Sequence, residues 1–157
     1  MKFDMKTALF PGTFDPFTLG HQSVVRRGLE IFDRIIIAIG INDSKQTYFS
    51  VEQRLKQIRA CYSNDKKVEV CSYEGLTADC ARMHGATTIL RGIRSVADFE
   101  YERVLSDVNL KIAEIDTVCF FTEPNLSSMQ SNVVRDLLKH NHDVSAFIPK
   151  EMAELLK

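Results

Sequence analysis

The sequence predicts an α/β fold in which a five-stranded parallel sheet carries helices on both faces. Three observations lead there. Short apolar runs alternate with amphipathic stretches along the whole chain, the pattern of successive β-α units joined by right-handed crossovers. One run, Ile35-Ile36-Ile37-Ala38-Ile39-Gly40-Ile41, is apolar throughout, as a strand covered on both faces must be. Finally, the stretch from Phe10 to His21 reads as a strand end, a turn and a helix entrance in immediate succession.

Strands are expected at Thr7–Phe10, Ile35–Ile41, Val68–Cys71, Thr88–Leu90 and Thr117–Phe121. Pro11 and Gly12 should break the first, and Asp15-Pro16 forbids an early helix, because the residue before a proline is pushed out of the α region. Helices are expected near His21–Phe32, Ser50–Cys61, Thr77–His84, Val96–Ala113 and Gln130–Lys139. In the first, Val24, Val25, Leu29 and Phe32 recur on one face. Ser50 and Gln53 have the spacing of a capping box, and Ser95 can cap the fourth helix. Gly85 suits the position that closes the third, and Leu76, just before it, is expected in the core. Pro149 opens a last short helix. Phe99 and Tyr101 are expected to pack. With no repeat, low-complexity segment or linker, residues 1–157 are expected to form a single Rossmann-like, doubly wound domain.

Composition narrows the function classes. Hydrophobic residues at 45% and charged residues at 26% are those of a soluble globular protein. A net charge of −1 argues against a dedicated nucleic-acid or membrane-surface binder, which carries a basic excess, but not against phosphorylated small molecules. The cysteines Cys61, Cys71, Cys80 and Cys119 have no C-x-x-C spacing and read as reduced, space-filling thiols. Met1-Lys2-Phe3-Asp4-Met5-Lys6 has charges where a signal peptide needs an apolar run, and no segment is long enough to span a bilayer. A cytoplasmic protein is expected.

The expected strand ends share one rim, and residues suited to phosphate chemistry collect there. Thr18-Leu19-Gly20-His21 lies where a loop enters a helix after the first strand, so free backbone amides favour an anion and a histidine can stabilise developing charge. Arg91-Gly92-Ile93-Arg94 ends the fourth strand, and arginine offers a planar fork of donors matched to phosphate oxygens. The alternative for these arginines is ion pairing with Asp98 and Glu102.

Pro11-Gly12-Thr13-Phe14-Asp15-Pro16 followed by Thr18-x-Gly20-His21 resembles the signature of the nucleotidyltransferases with a Thr-x-Gly-His motif, and within them the phosphopantetheine adenylyltransferase family. Arg91-Gly92-Ile93-Arg94 with Asp98-Phe99-Glu100-Tyr101-Glu102 is similar to the second signature of that family. The resemblance implies transfer of AMP from ATP to 4′-phosphopantetheine, with Mg²⁺ held mostly by phosphates, in a homohexamer that binds neither nucleic acid nor membrane. It assigns His21, Lys45 and Arg94 to catalysis, and Thr13, Lys45, Thr77 and Arg91 to the phosphopantetheine side. It assigns ATP to Thr13, Phe14, His21, Gly92, Ile93, Arg94 and Glu102, and to the loop Leu126-Ser127-Ser128-Met129-Gln130-Ser131-Asn132. In that loop the family usually has an isoleucine followed by serines and threonine; here only Ser131 keeps a hydroxyl in register. The implied chemistry needs no general base, since the acceptor phosphate is already a nucleophile; alignment and charge stabilisation suffice. Two other readings stay open: a sister enzyme modifying another small phosphate, and a non-catalytic adenine-nucleotide sensor.

Overall fold

Five strands pair in parallel in the order β3-β2-β1-β4-β5. They are β1 (Thr7–Gly12), β2 (Arg34–Gly40), β3 (Val68–Tyr73), β4 (Thr88–Ile93) and β5 (Asp116–Phe121). The computed structural model describes residues 4–156; Met1-Lys2-Phe3 of the charged start, and Lys157, lie outside the described residues. The helices are α1 (Leu19–Gly28), α2 (Val51–Cys61), α3 (Thr77–Met83), α4 (Val96–Ala113) and α5 (Ser131–Lys139). Short 3₁₀ turns occupy Pro124–Leu126 and, directly after Pro149, Lys150–Leu156.

Within β2, Ile35 to Ile39 are wholly buried because alternate side chains enter two different cores. Ile35, Ile37 and Ile39 join Val24, Val25, Ile58 and Val134, so α1, α2 and α5 cover one face. Ile36 and Ala38 meet Ala78, Ala81 and Ala113, so α3 and α4 cover the other. Capping follows the expected residues. The Ser50 hydroxyl accepts from the Gln53 amide at 3.1 Å, and the Gln53 side chain accepts from the Ser50 amide at 2.9 Å. Ser95 caps α4 through the Asp98 amide, and Gly85 takes the left-handed φ of +67° that closes α3.

Four local expectations are corrected. Pro11 and Gly12 do not break β1, which pairs onward with Ala38 and Ile39 of β2. Proline is tolerated there because β1 pairs with β4 only at Ala8 and Leu9, so beyond Leu9 one edge of β1 asks for no ladder donor. Leu76 is 58% exposed rather than in the core. Phe99 and Tyr101 are 50% and 62% exposed, because only Glu102 and Ala113 of α4 are buried. All four cysteines are free thiols, but Cys80 alone is buried, and Cys119 stands exposed on the edge strand β5.

Candidate active site

The chain leaves β1 for β2 on one side of the sheet and later returns to β4 on the other, so β1 and β4 form its topological switch point. Their ladder stops after Leu9, and the strand ends diverge into a cavity of about 470 Å³. The Arg91 guanidinium crosses the gap and donates to the carbonyl of Pro11. Loops after β1, β2, β4 and β5 wall the cavity, with the entrances of α1 and α5 facing into it.

At the entrance of α1 the Thr18 hydroxyl accepts from the His21 amide, and the Thr18 amide donates to His21 Nδ1 at 3.0 Å. A neutral imidazole that accepts at Nδ1 carries its proton on Nε2, so the ring is locked in one tautomer with a donor to offer. Burial, reinforced by the nearby charges of Arg94 and Arg91, lowers the His21 pKa from 6.5 to about 3. His21 is therefore an uncharged hydrogen-bond donor at neutral pH. Its ring packs edge-on to Phe14 at 5.0 Å and against Phe17 at 5.4 Å. Phe14 holds a left-handed φ of 50°, and a Cβ on Gly12 would come within 2.8 Å of its ring, so glycine is required there. At the motif glycine Gly20 the fit is tight, since a Cβ would lie 3.3 Å from the Met129 carbonyl. The Thr18 hydroxyl donates to that same carbonyl at 3.0 Å, joining the α1 entrance to the loop before α5.

Cations surround this donor. Lys45 Nζ donates to Thr13 Oγ1 at 3.3 Å, and both residues line the cavity. Arg91 and Arg94 line it as well, each with an acidic partner: Arg91 Nη2 lies 2.6 Å from Glu102 Oε1, and Arg94 Nε lies 3.4 Å from Asp98 Oδ2. The ion-pairing alternative is thus real, but it does not withdraw the arginines from the cavity. Glu102 is only 6% exposed, so its charge holds the Arg91 fork in a fixed plane beside the gap. Gly92 lies between the arginines with Val24 beneath it.

The departure from the family's serine-rich pattern falls at the α5 entrance. Gln130 is its N-cap with extended backbone and no side-chain cap, so the amides of the first turn are left to other partners. The Ser131 hydroxyl donates to Pro16 O at 2.8 Å, tying the helix start to the first loop. Leu126, Met129, Gln130, Ser131 and Asn132 all line the cavity.

Some expected residues stand back from it. Ser127 and Ser128 are exposed outside the lining, with Ser127 Oγ donating to Pro124 O at 3.2 Å. The Ile93 side chain is buried in the sheet. Phe14, by contrast, does line the cavity, forming its floor beneath His21 while only 3% exposed. Thr77, at the start of α3, bonds Tyr73 Oη at 2.8 Å and is not in the lining.

Other residues that shape the cavity escaped the sequence reading. Thr18 is wholly buried and serves both the His21 cap and the Met129 tie; its place in the motif was the available signal. Arg135 lines the cavity and donates to Asp15 O at 2.7 Å. It is four residues after Ser131, hence on the same helical face. The buried Asp15 carboxylate accepts from the amides of Tyr48 and Phe49 at 2.7 and 2.9 Å, which pins the loop after β2 to the loop after β1. Taken together, a neutral donor, four cationic side chains and two helix entrances make a cleft for an extended polyanion.

A family model described as cytidylyltransferase-like matches residues 9–151. The chain is 52% identical over 148 residues to a phosphopantetheine adenylyltransferase of Bacteroides fragilis, covering 94% of this chain and 99% of the relative. It is 43% identical over 145 residues to the enzyme of that name from Flavobacterium johnsoniae, covering 92% and 95%. Among solved structures, a candidate nicotinate-nucleotide adenylyltransferase from Vibrio parahaemolyticus superposes with a TM-score of 0.69 over 97% of this chain and 98% of the other, at 21% identity. At that identity the likeness speaks for the fold alone.

Proposed function

The chain belongs to the cytidylyltransferase-like family, among its phosphopantetheine adenylyltransferases, and from that membership we propose how the cleft works. The enzyme transfers the adenylyl group of ATP to 4′-phosphopantetheine, releasing pyrophosphate and forming 3′-dephospho-coenzyme A, a step of coenzyme A synthesis. The observation that carries this reading is the identity of 52% with a curated enzyme of that name across 94% of the chain.

The acceptor phosphate attacks the α-phosphorus of ATP and the α–β bridging oxygen leaves with pyrophosphate, so no proton need be removed from the nucleophile. The cleft has to align two polyanions and absorb charge on the α-phosphoryl oxygens. His21 suits this as a tautomer-locked donor that brings no charge of its own. Arg94 and Lys45 supply positive charge, and Arg91, held by Glu102, suits the acceptor phosphate. The amides at the start of α5 suit the leaving phosphates. In this reading Thr13 serves both ligands, Gly92 lets the nucleotide approach the strand, and Leu126 with Met129, Gln130, Ser131 and Asn132 walls the nucleotide's side.

Mg²⁺ enters the proposal with the nucleotide. The acidic side chains of the cleft are engaged, Asp15 by backbone amides, Asp98 by Arg94 and Glu102 by Arg91. The chain thus offers cations rather than a carboxylate cage, which fits a metal carried by triphosphate oxygens. The proposal extends to a cytoplasmic homohexamer, as the resemblance implies, and the exposed apolar side chains of α4 support association between copies. Among the described residues no helix is long and apolar enough to cross a membrane.

One assay tests the whole reading. Pure protein with ATP, Mg²⁺ and 4′-phosphopantetheine should release pyrophosphate and accumulate dephospho-coenzyme A in equal amounts. Pyrophosphate release only with a different acceptor phosphate would favour a sister specificity, and none with any acceptor would favour the sensor.

A further inference from the structure

Away from the cleft, at the outer edge of the sheet, three side chains with soft donors converge. Cys71 on β3, Cys80 on α3 and His84 at the end of α3 each offer one ligand atom, and these atoms lie within 4.8 Å of one another. Cys80 and His84 are four apart and so project from one face of the helix. Glu69, two residues before Cys71 and on the same side of β3, brings Oε1 to 3.4 Å from His84 Nδ1. Its other oxygen pairs with Arg34. A carboxylate against a histidine ring is the usual outer-shell partner that fixes a ligating imidazole. Both cysteines are free thiols, and the cluster opens to solvent through His84 and Glu69, whose side chains are 25% and 40% exposed.

We infer that Cys71, Cys80 and His84 form a zinc site that ties α3 to the edge of the sheet, with Glu69 orienting His84. Two thiolates and an imidazole suit zinc and disfavour magnesium or calcium, which demand oxygen donors. Three protein ligands leave one tetrahedral position for water. On binding, two S–Zn bonds and one N–Zn bond form, and the two thiol protons pass to solvent. The local packing gives such a tie something to do. α3 has seven residues, its sheet-facing side chains include the small Ala78 and Ala81, and the larger Leu76 at its N-cap and Met83 in its last turn are 58% and 85% exposed. Apolar burial therefore anchors this element weakly. The inference does not depend on the adenylyl-transfer reading, since none of these residues lines the cleft.

Cobalt titration of the metal-stripped full chain, kept reduced with a phosphine, tests the assignment. One Co²⁺ per chain should bind with thiolate-to-cobalt charge-transfer absorption, and one equivalent of Zn²⁺ should abolish that absorption. Cys80→Ser and His84→Ala should each weaken cobalt binding by at least about tenfold, and Glu69→Gln, a positioning change, by about 10- to 100-fold. Cys119→Ser should leave it unchanged. His84→Ala alters a partly exposed cap, so it keeps the test open should Cys80→Ser fail to fold, as judged by circular dichroism. Absence of the absorption at saturating cobalt overturns the inference, as does absorption that survives both Cys71→Ser and Cys80→Ser. Reduced protein that binds no cobalt but forms a Cys71–Cys80 disulfide in air would make the cluster a redox pair instead.

Discussion

His21 shows how one local hydrogen bond decides the chemistry a side chain can do. The Thr18 amide occupies Nδ1 and burial suppresses protonation, so the ring donates without acting as an acid or base near neutrality. His21→Ala should lower kcat about a hundred- to a thousandfold, the usual cost of deleting one transition-state donor, with little change in KM; steady-state kinetics at saturating substrate decide it. The same pKa makes a stability prediction. Between 6.5 and about 3 the unfolded chain binds a proton at this residue that the folded chain refuses, so the fold loses stability as pH falls through that window. Thermal melts of His21→Asn should therefore depend less steeply on pH between 6.5 and 4 than those of the parent; parallel curves would mean that His21 titrates normally. Arg91 calls for a different experiment, because it also neutralises the buried Glu102. Arg91→Ala should raise KM for phosphopantetheine about ten- to a hundredfold, more than KM for ATP, and should also destabilise the fold. Adding Glu102→Gln should restore stability but not KM, and a KM effect confined to ATP would exchange the parts given to Arg91 and Arg94.

At the scale of the element, α5 separates what side chains do from what a helix end does. If the amides of its first turn hold the ATP phosphates, Gln130→Ser should change KM for ATP by less than about threefold, under about 1 kcal/mol. Ser131→Pro removes one of those amides. Gln130 already has φ −106° and ψ 141°, the extended backbone a residue before proline adopts, so the helix should survive. Ser131→Pro also breaks the hydroxyl bond to Pro16, so Ser131→Ala is the needed control. The proline variant should bind ATP at least about tenfold more weakly than the alanine variant by titration calorimetry. Equal affinities would transfer the phosphate contact to side chains.

At the scale of the whole molecule, α4 carries an exposed apolar stripe. Tyr101, Val104, Val108 and Ile112 follow helical spacing and are 62%, 55%, 46% and 47% exposed, and Phe121 at the end of β5 is 77% exposed. A second copy over this face would remove the stripe from water. Val104→Glu with Val108→Glu should shift the mass measured by light scattering toward the monomer while leaving the circular dichroism spectrum intact. An unchanged mass would move the contact to another face.

What was legible in the sequence was whatever depends on periodicity and local chemistry. The run from Ile35 to Ile41 identified a strand covered on both faces, and Ser50 with Gln53, Ser95 and Gly85 marked helix ends, since caps involve residues three or four apart. The motif residues named the rim of the cleft for the same reason: they sit at strand-to-helix junctions whose order along the chain is fixed. Tertiary structure alone decided matters that join distant segments. Pro11 continues β1 because β4 turns away after Leu9, a fact about two strands eighty residues apart. Arg135 reaches the cleft through Asp15, and Cys71 meets Cys80 and His84 only once α3 folds back on the sheet. Leu76, Phe99 and Tyr101 are exposed because burial depends on what lies opposite a side chain, and hydrophobicity alone does not specify the neighbour.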